Sequence, residues 1–199
     1  TARVRIFMAP MMRKTCFDDE VKSVRLTLST LKAENSFSSS VVKKSLSKVR
    51  SLQQALETAQ YEAERVNEQE VEIGLDEATD YKTELDNMTL QLKPLGEMWE
   101  RASEYLVAMH KWYETPLYTL DAEEIENEAD SMKRQFGKLK KTFTRLDISE
   151  ALKICEKLST QVENFMDNMV PLLLLICTPG LRLRHWNKIA EITSLDIEW

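Results

Sequence analysis

"YKTELDNMTLQLKPLGEMWERASEYLVAMHKWYETP", residues 81–116, decides how the rest of the chain has to be built. Within it Tyr81, Leu85, Met88, Leu92, Leu95, Trp99, Ala102, Leu106, Met109 and Tyr113 step by four and three without a fault. That spacing keeps the side chains on one face of a helix, and at 1.5 Å per residue the helix is a rod of about 50 Å. A rod with a single apolar stripe cannot bury that stripe alone, so it demands helical neighbours of comparable length. Pro94 stands inside it without an amide hydrogen, and its ring clashes with the Leu90 carbonyl. A kink is expected there, and Pro116 closes the helix.

The flanking segments supply such neighbours. Upstream, a long helix from Ser40 places Val42, Leu46, Val49, Gln53, Leu56, Ala59, Ala63 and Val66 on one face and ends near Gly74. Before it, a loop rich in capping residues covers Asn35–Ser40, a short helix fits Asp18–Ala33, and residues 1–17 show no clear period. Downstream, Asp121 is a helix cap with Glu124 three residues on. Ile125, Ala129, Met132, Phe136, Leu139, Phe143 and Leu146 then repeat the four-three stepping. The charges on this helix are sorted, acids from Asp121 to Asp130 and then bases from Lys133 to Arg145, which complements the helix dipole. After a tight connection at Asp147, Leu152, Cys155, Leu158, Val162, Phe165 and Met169 form a returning stripe, so the two helices make an antiparallel hairpin. Thr178 is expected to cap a last helix, with Pro179 in its first turn and its end near Thr193.

Composition agrees. Four glycines and five prolines in 199 residues, 30% of them charged, are too little turn material for a many-stranded sheet. The expected fold is all-α, long antiparallel helices in an elongated bundle with helical hairpins, and extended backbone at most near Arg3–Met8 and Leu195–Trp199. Three parts are expected: 1–40, a poorly patterned segment with a short helix; 41–147, the long helices; and 148–199, the returning helix and a terminal corner.

A net charge of -6 argues against nucleic-acid binding, because phosphate backbones demand a basic excess. Cys16, Cys155 and Cys177 are odd in number and widely spaced, which favours reduced thiols and a cytosolic compartment. The most apolar run, Met169 to Cys177, is far below the roughly 20 residues of a membrane span, and no signal peptide is visible. The chain opens on Thr1 and stops in "SLDIEW", which reads as an excerpt of something longer.

Catalysis has few materials here. His110 and His185 are the only histidines, and neither a Gly-rich phosphate loop nor a Cys-x-x-Cys pair occurs. The acidic run Glu123–Asp130 lacks the spacing and glycine of a calcium loop and reads as a solvated face. No catalytic, cofactor or metal residue is assigned. Trp99, Trp112, Phe136 and Phe165 read as core anchors.

Three landmarks carry a resemblance. "ERVNEQEVEIGLDEATDY" (Glu64–Tyr81), "LQLKPLGEMWERASEYLVAMHKWYETPLYTLDAEEIENEADSMKRQFGKLKKTF" (Leu90–Phe143) and "VENFMDNMVPLLLLICTPGLRLRHWNKIAEITSLDI" (Val162–Ile197) resemble, in order, the dynein heavy chains of the axonemal type, where the helical tail passes into the motor's linker. The most specific element is Pro179 and Gly180 followed by Arg184, His185 and Trp186, and coverage runs from about residue 62 to the end. The resemblance implies a force-transmitting, non-enzymatic segment of a microtubule motor in the cytoskeleton of cilia and flagella. It implies ATP and magnesium sites elsewhere in the parent protein. The implied partners are the rest of the heavy chain (ATPase ring and tail), dynein intermediate and light chains, and microtubules, with no membrane partner. Pro179, Gly180, Arg184, His185 and Trp186 then read as a structural corner. In it Arg184 and His185 hydrogen-bond neighbouring helix ends, and Trp186 is buried against the hairpin. A spectrin-like or coiled-coil scaffold module is the alternative, since it would carry the same stripes.

Overall fold

The computed structural model describes residues 2–72, 80–178 and 180–194, and among these all regular secondary structure is helical. The order is α1 (Ala2–Lys32), α2 (Ser39–Glu72), α3 (Tyr81–Glu114), a 3-10 turn (Leu117–Thr119), α4 (Ala122–Leu146), α5 (Ser149–Asn168), α6 (Val170–Ile176) and α7 (Leu183–Thr193).

The first three helices are bound by an apolar seam with a polar edge. Phe17, Val21, Val24, Leu28 and Leu31 of α1 are buried, as are Val42, Val49, Leu52, Leu56, Ala59 and Ala63 of α2. Lys14 of α1 pairs with the buried Glu70 of α2, so these two run antiparallel. Gln60 donates to Asp86 at 3.3 Å, and a Cβ built on Gly96 would lie 3.2 Å from Val49 Cγ1, so α2 and α3 are antiparallel as well. Along α1 and α3 the partners advance together: the Tyr81 hydroxyl donates to Asp18 at 2.7 Å, Arg25 pairs with Glu84, and Lys32 donates to Gln91. Phe17 meets Tyr81 edge to face at 4.9 Å between centroids.

The second group meets the other end of α3. Ile125, Ala129, Met132, Phe136, Leu139 and Phe143 of α4 are buried against Ala151, Ile154, Cys155, Leu158, Val162 and Phe165 of α5. Trp112 of α3 stacks on Phe165 with centroids 4.8 Å apart and planes 18° from parallel. α3 is therefore the shared strut: it packs against α1 and α2 and also against α4 and α5.

That sharing corrects the expected stripe on α3. Tyr81 through Ala102 are buried as spaced, but beyond Ala102 the buried positions are Tyr105, Ala108 and Trp112. Leu106 and Met109 are only half-buried there, and Tyr113 is 62% exposed. A straight helix drifts about 20° per heptad against a seven-residue repeat, so over its length the covered face rotates from α2 toward α4 and α5. The helix continues on both sides of the buried Pro94.

Two further expectations change. Residues 3–8 are helical, not extended, because α1 runs from Ala2. Once the stripe from Phe17 to Leu31 is docked the helix is nucleated, and extending it costs little per residue. The expected end of α2 near Gly74 and the extended piece at Leu195–Trp199 lie outside the described residues. The last helix starts at Leu183, not after Thr178; Thr178 Oγ1 instead donates to the Leu174 carbonyl at 2.9 Å and closes α6.

Candidate functional site

The residues singled out above fall in two places, the α4/α5 hairpin with its anchor on α3, and the terminal corner. Asp121 starts the hairpin: its carboxylate accepts from the Glu123 and Glu124 amides at 3.0 and 3.1 Å. At the other end Asp147 adopts the left-handed conformation (φ 55°) and Ile148 N–H donates to the Phe143 carbonyl at 3.1 Å, so the chain reverses within two residues. Phe136 and Trp99 are fully buried, and Trp112 and Phe165 nearly so. The Trp99 and Trp112 indole N–H groups have no hydrogen-bond partner among the described residues, and their role here is volume and stacking.

The charged residues of this region stay on the outside. Glu123, Glu124, Glu126, Lys138, Lys141 and Arg145 are exposed, and Arg134 pairs with Asp130 one turn earlier. Burial pushes the Cys155 thiol up to about 12, so at neutral pH it is a core thiol with no nucleophilic character. Cys177, at the end of α6, is raised by partial burial and by the nearby Asp121 carboxylate, which sets the end of α6 beside the start of α4. Cys16 is exposed on α1.

The corner is assembled differently from its expectation. Arg182, in extended conformation, is the N-cap of α7, and its backbone N–H donates to His185 Nδ1 at 3.0 Å. His185 thus satisfies the start of its own helix. With Nδ1 accepting, the ring proton sits on Nε2, so the 3.3 Å approach of Arg184 Nε is contact without a second donation. Trp186 is buried, yet it lies outside the main apolar cluster, and α7 is not among the helices packed broadly on the bundle. Gly180 is exposed, and Pro179 lies outside the described residues.

Two positions escaped the reading of the sequence. Asp80 caps α3, accepting from Thr83 N–H at 3.1 Å, and that hydrogen bond holds its carboxyl below the ordinary value. Its signal was an acidic residue directly before the first periodic position. Gly96 marks the close approach of α3 to α2, which no local pattern announces.

Among the described residues no three His, Cys, Asp or Glu side chains converge as a metal site, and no helix is long and apolar enough to cross a membrane. The arrangement consists of a buried helix shared by two groups of neighbours, a hairpin stacked on its end, and a capped helix start at Arg182.

Residues 85–198 match the family model described as dynein heavy chain, N-terminal region 2. The chain is 26% identical to dynein axonemal heavy chain 3 of Mus musculus over 182 residues, 92% of this chain and 4% of the relative. Against dynein axonemal heavy chain 3 of Homo sapiens it is 29% identical over 157 residues, 79% of this chain and 4% of the relative. Against dynein axonemal heavy chain 1 of Mus musculus it is 28% identical over 149 residues, 75% and 3% respectively. The chain thus spans about 4% of the length of these two heavy chains 3. No solved structure matches.

Proposed function

The chain belongs to the dynein heavy chains, in their N-terminal region 2, and from that membership we propose that it is a force-transmitting helical segment at the junction of tail and linker. The parent protein, in this reading, is an axonemal dynein: a minus-end-directed, ATP-driven microtubule motor of cilia and flagella. Its nucleotide and magnesium sites lie in other parts of the heavy chain. Its partners are the rest of that chain, intermediate and light chains, and microtubules. This segment has no catalytic step of its own.

The observation that supports the reading is the sharing of α3. Tyr81 to Trp112 is buried against one group of helices at its start and another at its end. A displacement applied to α1 and α2 therefore reaches α4 and α5 through one continuous helix, with no flexible connection between. Close-packed interiors have low compressibility, so such a strut passes strain on. A spectrin-like scaffold would use similar helices, but family membership favours the motor.

The test is made in the complete motor with Phe136→Ala and Phe165→Ala. Each empties a buried aromatic site at a cost of about 3–5 kcal/mol and loosens the hairpin without touching any nucleotide site. Microtubule gliding velocity should fall while ATPase activity is largely retained. Equal loss of both, or loss of neither, would count against a force-transmitting role.

A further inference from the structure

The outer face of α4 carries a row of residues with a repeat of its own. Glu123, Asn127, Asp130, Arg134, Gly137 and Lys141 step by four and three on the side away from the buried stripe that runs from Ile125 to Phe143. Glu123, Asn127, Arg134 and Lys141 are exposed, and Asp130 and Gly137 are half-buried. A Cβ built on Gly137 would meet nothing within 4 Å, so no neighbouring helix fills that place. The charges of the row are sorted, acids before bases, and the helix dipole accounts for only part of this. Its influence falls off within the first and last turns, which covers Glu123 but not Asp130 and Arg134 in the middle of the helix. Sorting also leaves most of these charges without a neighbour of opposite sign: among the described residues, only Asp130 and Arg134 of this row pair within the chain.

We propose that this row is a contact between two copies of the chain, α4 lying antiparallel on α4 of a second heavy chain. Reversed, the row is its own complement. In an antiparallel pair centred at Met132, Glu123 faces Lys141, Asp130 faces Arg134, and Asn127 faces Gly137, whose missing side chain lets the two backbones draw close. The two-fold axis of such a pair makes every one of these contacts twice. A parallel pair would set Glu123 on Glu123 and Lys141 on Lys141, so the same charges that favour one orientation oppose the other. Four-three stepping is the spacing by which two helices mesh along a seam, and it recurs here on a face that the bundle does not use. The seam is ionic, without an apolar core, and exposed ion pairs are individually weak and screened by salt. The contact is therefore weak and salt-sensitive, suited to copies already held side by side. It asks nothing of force transmission along α3.

The experiment is zero-length carbodiimide coupling of the intact heavy chain at low ionic strength, with the joined peptides mapped by mass spectrometry. Within one helix Glu123 and Lys141 stand about 27 Å apart, so an amide bond between them joins two copies. That bond is the expected product, and its yield should fall as salt is added. Glu123→Lys with Asp130→Arg makes the row uniformly basic, and Arg134→Asp with Lys141→Glu makes it uniformly acidic. Each variant alone should lose coupling between rows by about tenfold or more, because like charges then face each other. An equimolar mixture of the two should recover it, which no misfolded variant could do. Absence of the Glu123–Lys141 bond in the wild type, failure of the mixture to recover coupling, or coupling of the row only to an accessory chain or to another part of the same heavy chain would overturn the proposal.

Discussion

At the scale of single residues, burial decides what each aromatic is worth. Trp99 is fully enclosed where α3 is covered by its neighbours, so Trp99→Ala should destabilise the whole 199-residue chain by about 3–5 kcal/mol, read as a lower urea midpoint. Trp186 is buried too, yet outside the main cluster, and the cost of removing it is limited by the free energy holding α7 alone. Trp186→Ala should leave the global midpoint nearly unmoved and speed amide exchange in α7; a global loss as large as that of Trp99→Ala would refute this. The thiols divide in the same way. Cys155 has its ionisation pushed from 9.0 to about 12 in the folded chain. Its raised value means no effect on stability below pH 9, and a growing penalty above it as the unfolded thiol ionises and the folded one does not. The urea-midpoint difference between wild type and Cys155→Ala should therefore narrow from pH 9 to pH 11. A constant gap would show that the thiol is not desolvated as its position indicates. Cys155 as a core residue was legible in the stripe it shares with Leu158 and Val162. The role of His185 as a cap was not, because it depends on the backbone course at Arg182.

Among the elements, the hairpin was the most legible and the corner the least. Every apolar position from Ile125 to Phe143 is buried, since α4 has one principal partner and one face toward it. On α3 the simple repeat failed after Ala102 because two sets of partners approach from different sides. Residues 3–8 escaped because their alternation of Arg3, Val4, Arg5 and Ile6 and the Pro10 after it hide the period that docking imposes downstream. The helical glycines make a matched pair for testing the packing. At Gly96 a Cβ would stand 3.2 Å from Val49, whereas at Gly137 it would meet nothing within 4 Å. Gly96→Leu should cost about 1–3 kcal/mol by forcing α2 from α3. Gly137→Ala should stabilise by about 0.5–1 kcal/mol through helix propensity alone. Thermal unfolding of both variants checks this, and similar shifts in the two would mean that α2 and α3 are not in close approach.

For the whole molecule, the functional expectation concerns what is missing from its chemistry. The purified 199-residue chain should neither bind nor hydrolyse ATP, because no glycine-rich phosphate loop occurs in it. Magnesium-dependent turnover by the pure chain would sink that expectation. Helical class, the hairpin partners and membership of the dynein heavy chains were all contained in the order of residues. Periodicity and charge order are local properties, and the landmarks from Glu64 to Ile197 are strings of sequence. Only the tertiary structure decided which face of α3 is covered at each end, how near α2 comes at Gly96, and that α7 stands off the main core. Those features depend on which helices meet and at what angle, and such encounters between distant segments leave no period in the sequence of either one.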